Sequence, residues 1–125
     1  VSKYLKKRKI SFVKIREPGG SFNAEKIRKL VLNKKSVFNK NTDLLLYLAA
    51  RSENIDLLKK NFRKKVILID RFIDSTIAYQ VYGKKVDLKF INNIHKKILR
   101  GVKPNIVFIL KVSQNSSQKR LKKRK

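Results

Sequence analysis

The sequence predicts an α/β fold with a parallel sheet and right-handed crossovers, and three observations carry that prediction. Short apolar runs alternate along the chain with stretches whose apolar residues recur every three or four positions. One of those runs, "VILI" at 66–69, is continuous, as in parallel strands buried on both faces. Charged loops, "REPGG" and "DRFIDST", follow the first two runs directly, at the carboxyl edge where such sheets bind ligands.

In chain order, residues 1–9 read as the end of a basic helix, and Ile10–Ile15 as a strand rich in β-branched and aromatic residues. Asn23–Leu32 has helical spacing, with Ile27, Leu30 and Val31 on one side, and a polar loop covers Asn33–Asn41. Thr42 to about Phe62 is a long helix whose Leu44, Leu48, Ile55, Leu58 and Phe62 make a buried stripe. After the strand Val66–Ile69, helices are expected over Asp74–Tyr82 and Asp87–Arg100, the second ended by Gly101 and Pro104. Ile106–Val112 is expected to be a third buried strand, and the tail "SSQKRLKKRK" begins another basic helix. Asp74 reads as a helix N-cap, and Ser36, Ser113 and Ser116 as loop or capping residues.

At 125 residues the chain suits one domain with a real core. It has no Cys, hence no disulfide, thiolate metal site or cysteine nucleophile, which suits a reducing compartment. No apolar run approaches the roughly 18 residues of a membrane span, and no signal-peptide pattern opens the chain. The chain starts at Val1, without Met, and is expected to be part of a longer one.

The net charge is +26, from 34 Lys and Arg against 8 Asp and Glu. A polyanion such as RNA or DNA is one reading of that charge. Compositional bias is the other: Lys (25), Ile (13) and Asn (10) make up 48 of the 125 residues, and all three have codons rich in A and T. Nucleic-acid binding gives no reason to enrich Ile, so bias is taken as the main cause. Against such a drift toward Lys, the nine Arg stand out, because a guanidinium grips phosphate or a base edge with a planar fork that Lys lacks. Arg16, Arg28, Arg51 and Arg71 fall inside the segments that look functional on other grounds.

Asp70 stands where a Walker B acid ends a hydrophobic strand and organises Mg²⁺, usually through water, and Arg71 beside it could clamp a phosphoryl oxygen. The plainer alternative is a pair that caps the next helix. Tyr47 and Arg51, four apart, share a helix face as a ring and a guanidinium suited to base recognition. Alternatively the Tyr is half in the core and the Arg reaches solvent. Thr76 and Gln80, also four apart, place a hydroxyl and a carboxamide on one face, and a Gln amide that donates and accepts can read a pyrimidine edge. His95, the one His in the chain, reads as a surface or packing residue.

Taken together, "REPGG", "IRKLVL", "LLLYLAAR", "VILIDRFIDSTIAYQ" and "KPNIVFILKV" resemble thymidylate kinase, the dTMP kinase of the P-loop nucleoside monophosphate kinases, over about Tyr4–Lys122. The resemblance implies a three-layer parallel sheet of the P-loop NTPase type, incomplete here, with residues 1–125 the central part of a single thymidylate kinase domain. It implies phosphoryl transfer from ATP to dTMP, giving dTDP and ADP, in the cytoplasm. Tyr47 matches the position that stacks on thymine, Arg51 and Gln80 those that hydrogen-bond the base edge, and Thr76 a hydroxyl in the same pocket. Tyr79 matches the residue near the deoxyribose, where its ring would crowd a 2′-hydroxyl. Arg28 and Arg71 match the arginines on the dTMP phosphate, Glu17 and Pro18 the loop that floors the acceptor site, and Asp70 the acid near Mg²⁺. The catalytic pair is then Asp70 and Arg71, and the full-length form a homodimer.

The departures are equally specific. The string G-x-x-x-x-G-K-S/T of the P-loop occurs nowhere in the chain, leaving the ATP phosphates without their backbone cradle. The lid is expected to be missing as well, with Arg120 and Arg124 at its edge. The fragment alone is therefore expected to be inactive. Val81 stands where relatives often carry Gly after "AYQ", and is expected to alter the turn toward the lid. Lys111 replaces an acid and is expected to put positive charge at the nucleotide end of the sheet. A small basic nucleic-acid-binding protein and another deoxynucleoside or nucleotide kinase of the same fold are the alternatives.

Overall fold

Phe12–Arg16 (β1) and Val66–Asp70 (β2) pair in parallel, Phe12 opposite Val66 and Arg16 opposite Asp70, in a computed structural model that describes residues 1–122. Parallel strands need a crossover, and two helices supply it: Phe22–Leu32 (α2) and the 22-residue Lys40–Asn61 (α3). A short helix, Ser2–Lys7 (α1), precedes β1. After β2 come Ile73–Thr76 (α4), running on as a π-helical segment Ile77–Gly83, then Leu88–Leu99 (α5) and Gln114–Lys122 (α6).

The helix starts are capped as their sequences allow. Ser21 Oγ accepts from Ala24 N–H at 3.3 Å for α2, Asn39 Oδ1 from Asn41 and Thr42 for α3, and the Asp87 carboxylate from Lys89 and Phe90 for α5. Arg100 in the left-handed region and Gly101 at φ 83° end α5, as expected from the sequence. Asp74 is not a cap: α4 starts one residue earlier than expected, with Phe72 at the cap position, so Asp74 lies within its first turn. Ser113 Oγ does accept from Ser116 N–H at the start of α6.

The core has two apolar clusters. Ile15 on β1 packs with Ile55 and Leu58 on α3 and Leu99 on α5, joined by Val13, Ile67, Ile69 and Phe72. Leu44 and Leu48 on α3 meet Ile91 on α5, joined by Val81, Val86 and Ile94. The α3 stripe is thus buried as its spacing predicts, except at Phe62, which the end of the helix leaves exposed.

Two expectations about the sheet are corrected. Of the "VILI" run only Ile67 and Ile69 join the core, while Leu68 is half-buried and Val66 exposed. Ile106–Val112 forms no strand: Phe108 is 79% and Leu110 90% exposed, and the sheet holds β1 and β2 alone among the described residues. β-propensity measures fit to a neighbouring pleated surface, and this segment packs on none, pairing with neither β1 nor β2. Lys111, exposed on that segment, therefore sits at no sheet end. Val81 makes no turn either. It lies inside the π-helical segment, half-buried against the second cluster.

Candidate functional site

Between the two apolar clusters lies a polar layer. Arg51, one turn beyond Leu48 on α3, is only 4% exposed. A guanidinium there needs partners, because an unpaired buried charge is costly. Its Nε and Nη2 both donate to Glu17 Oε2, at 2.9 and 2.5 Å, and its Nη1 donates to His95 Nε2 at 2.6 Å. Its central carbon lies 5.2 Å from the Phe72 ring centroid. Glu17 and His95 are buried as well.

His95 is where the sequence reading fell short: it is neither on the surface nor simply packed, but hydrogen-bonded to a charged site residue. The signal was present, since Ile91, His95 and Leu99 are spaced by four along α5 and all three are buried. An Arg always donates, so Nε2 accepts and the ring proton sits on Nδ1, which has no partner among the described residues. Burial first, and the Arg51 charge second, lower its pKa from 6.5 to about 4. Between those values the unfolded chain binds a proton that the folded chain refuses. Stability is therefore whole above pH 6.5 and falls as pH drops toward 4, by about 3 kcal/mol in all. Urea unfolding at pH 7 and pH 4.5 is expected to show a drop about 2 kcal/mol larger for the native chain than for His95→Gln. Equal drops would contradict this account of the imidazole.

Glu17 is delivered by the loop after β1, where Asn54 of α3 acts as a clasp that the sequence reading also missed. Asn54 is fully buried; its Nδ2 donates to Gly19 O at 2.9 Å and its Oδ1 accepts from Ser21 N–H at 2.8 Å. It follows buried Ala50 by four, which was the available signal. Gly20 is required by this clasp: its φ is 137°, and a Cβ would stand 2.6 Å from Asn54 Oδ1 and from Ile15 Cγ2. Pro18, buried, follows a cis peptide bond, and Arg28 Nη1 donates to Arg16 O at 3.3 Å, which brings it to the same loop. Arg16 itself is not the partner of Glu17. It pairs across the strand ends with Asp70 at 3.2 Å, both carboxylate and guanidinium about half exposed.

Thr76 and Gln80, on α4 and the π-helical segment, are both buried. The π-helical turn that carries Gln80 is wide: Lys84 N–H donates to Tyr79 O, five residues back. Gln80 Nε2 donates to Asp43 Oδ2 at 3.5 Å, Asp43 is also paired with Lys84, and buried Gln80 Oε1 has no partner among the described residues. Half-buried Tyr47, one turn before Arg51, has its phenol pKa raised by burial and next by the Asp43 carboxylate. Arg71, at φ 69°, holds its guanidinium 5.4 Å from the centroid of the exposed Tyr79 ring.

The structure thus sets Glu17 and Pro18 on one loop with Arg28 of α2 against it, joins Glu17 to Arg51, and joins Arg71 to Tyr79. Asp70 stays apart on the exposed strand end. Arg120 is exposed on α6, with no lid seen beside it among the described residues, and Arg124 lies outside those residues. Neither of the clefts lined by Ile10, Arg63 and Val66 or by Leu44, Val86 and Phe90 includes a candidate residue.

The chain has relatives among known proteins. Residues 1–125 match the family model described as thymidylate kinase. The thymidylate kinase of Mesoplasma florum is 38% identical over 127 residues, which span 99% of this chain and 60% of that protein. That of Halothermothrix orenii is 37% identical over 110 residues, spanning 86% and 53%. In three dimensions the chain is similar to a crystal structure of thymidylate kinase from Ehrlichia chaffeensis, with a TM-score of 0.79 and 32% identity over 98% of this chain and 66% of the other. The chain spans about 60% of the length of these relatives. With the family model matching from the first residue to the last, the chain belongs to the thymidylate kinase family.

Proposed function

We propose that this chain forms the dTMP-binding part of a cytoplasmic thymidylate kinase, the central part of a domain that transfers the γ-phosphoryl group of ATP to dTMP and yields ADP and dTDP, as a homodimer in the full-length form. The observation that carries the reading is the unpartnered acceptor of Gln80. Its amide nitrogen is turned to Asp43, since the reverse orientation would set oxygen against a carboxylate, so a buried Oε1 is left for an N–H donor. Thymine offers N3–H, whereas N3 of cytosine is itself an acceptor. Arg51 uses three of its N–H groups on Glu17 and His95, and the two remaining suit a base carbonyl such as thymine O4. Tyr47 then stacks on the ring, Thr76 lines the pocket, Tyr79 lies near the sugar, and Arg28 and Arg71 hold the phosphate.

Mg²⁺ fits Asp70 through water only. Among the described residues no group of three His, Cys, Asp or Glu could hold a metal ion, and the Asp70 carboxylate is shared with Arg16. That suits an ion bound chiefly by nucleotide phosphates, where it neutralises charge during phosphoryl transfer. No G-x-x-x-x-G-K-S/T string occurs in the 125 residues, so the chain by itself is expected to bind dTMP without forming dTDP. Among the described residues no helix is long and apolar enough to cross a membrane.

Arg51→Lys tests the reading against general polyanion binding. It is expected to weaken dTMP about tenfold or more, because an ammonium cannot reproduce the planar fork, while binding of a single-stranded oligonucleotide changes less than about twofold. Loss of both together, or of neither, would contradict the assignment.

A further inference from the structure

Glu17 holds Arg51 in a way that leaves a degree of freedom. Both Nε and Nη2 donate to the same oxygen, Oε2, rather than to the two oxygens of a parallel fork. A two-oxygen fork fixes the guanidinium plane and its rotation; a single oxygen acts as a pivot. The Phe72 ring, 5.2 Å away, limits tilting but not rotation within the plane. The third fixed point is His95 Nε2, 2.6 Å from Nη1 and carried on a different helix, α5.

We propose that His95 is a positioning residue for base recognition: its neutral imidazole, with Glu17, locks the Arg51 guanidinium so that its two uncommitted N–H groups keep one orientation toward the base of a bound nucleotide. This rests on the dTMP reading above. The residue type follows from the site. A second carboxylate would leave the buried layer with excess negative charge, and a Lys has no lone pair to accept Nη1. A neutral ring nitrogen accepts without adding charge, and Ile91 and Leu99, a turn to either side, seat the ring between the apolar clusters.

The test measures dissociation constants of dTMP and of 2-deoxyribose 5-phosphate, which lacks the base, for the native chain, His95→Phe and His95→Gln at pH 7.5. Phe keeps the bulk without the acceptor; Gln restores a neutral acceptor. The expected result is that His95→Phe weakens dTMP about tenfold while the base-free ligand changes less than about twofold, and that His95→Gln recovers most of the dTMP affinity. A general packing role would lower both ligands together, and Gln would not rescue selectively. Unchanged dTMP affinity in His95→Phe, or parallel loss of both ligands, overturns the proposal while leaving the dTMP reading in place. A native chain that binds dTMP no better than the base-free ligand overturns the dTMP reading, and the proposal with it. Should His95→Phe fold poorly, the comparison of His95→Gln with His95→Leu decides between the same outcomes.

Discussion

Replacing Arg51 with Met is expected to destabilise the chain by about 3–5 kcal/mol and to abolish dTMP binding. Met keeps much of the aliphatic bulk between Leu48 and Ile55, so the lost packing is small. What remains is the Glu17 carboxylate, 6% exposed, with its only ion-pair partner among the described residues gone, and His95 Nε2 without a donor. Globular domains are stable by only about 5–15 kcal/mol, so the loss takes a large share of the total. Removing both charges, as Glu17→Leu with Arg51→Met, is expected to recover part of the stability, since apolar pairs often replace buried ion pairs without loss. It is not expected to recover binding. Urea unfolding midpoints and dTMP titration of the single and double variants check both halves, and recovery of binding with stability would contradict a direct role for Arg51.

Asn54→Ala is expected to cost about 3 kcal/mol, because Ser21 N–H and Gly19 C=O each lose a buried partner worth roughly 1–3 kcal/mol. The damage is directional. Those two bonds hold the loop that carries Glu17 and Pro18 and that Arg28 touches, so dTMP binding is expected to weaken with the fold still formed. Asn61→Ala provides the control: its amide donates to Leu57 O on the same helix, at 2.8 Å and in a half-buried setting. It is expected to cost less than about 1 kcal/mol and to leave binding unchanged. Unfolding midpoints of the two variants, with hydrogen exchange at the Ser21 amide, measure the difference. Equal costs would show that Asn54 is no clasp.

The elements that the sequence predicted well are those whose burial is decided locally. The α3 stripe comes directly from spacing, and the ends of α5 from Asp87, Gly101 and Pro104. Ile106–Val112 went wrong because an apolar run states a need for neighbours without supplying them, and the segment pairs with neither described strand. The π-helical turn was not legible either, since one extra residue per turn leaves no clear mark on a seven-residue pattern. In the candidate site, residue types announced Arg51 and Gln80, and the family resemblance pointed to Glu17. Their partners depend on which elements meet: Arg16 turned to Asp70 through strand register, and Glu17 was left to an arginine on α3. His95 and Asn54 were missed because a polar residue on an apolar stripe reads as an interruption until its partner is known.

The central claim, that this chain reads a thymine-type base, is tested most directly by titrating it with dTMP, dUMP, dCMP and dAMP at two salt concentrations. The account predicts dTMP binding at least about tenfold tighter than dCMP and dAMP, dUMP intermediate because it keeps N3–H and O4 but lacks the methyl group, and an order that salt does not change. Four nucleotides bound alike and weakened alike by salt would mean that charge, not recognition by Gln80 and Arg51, holds them.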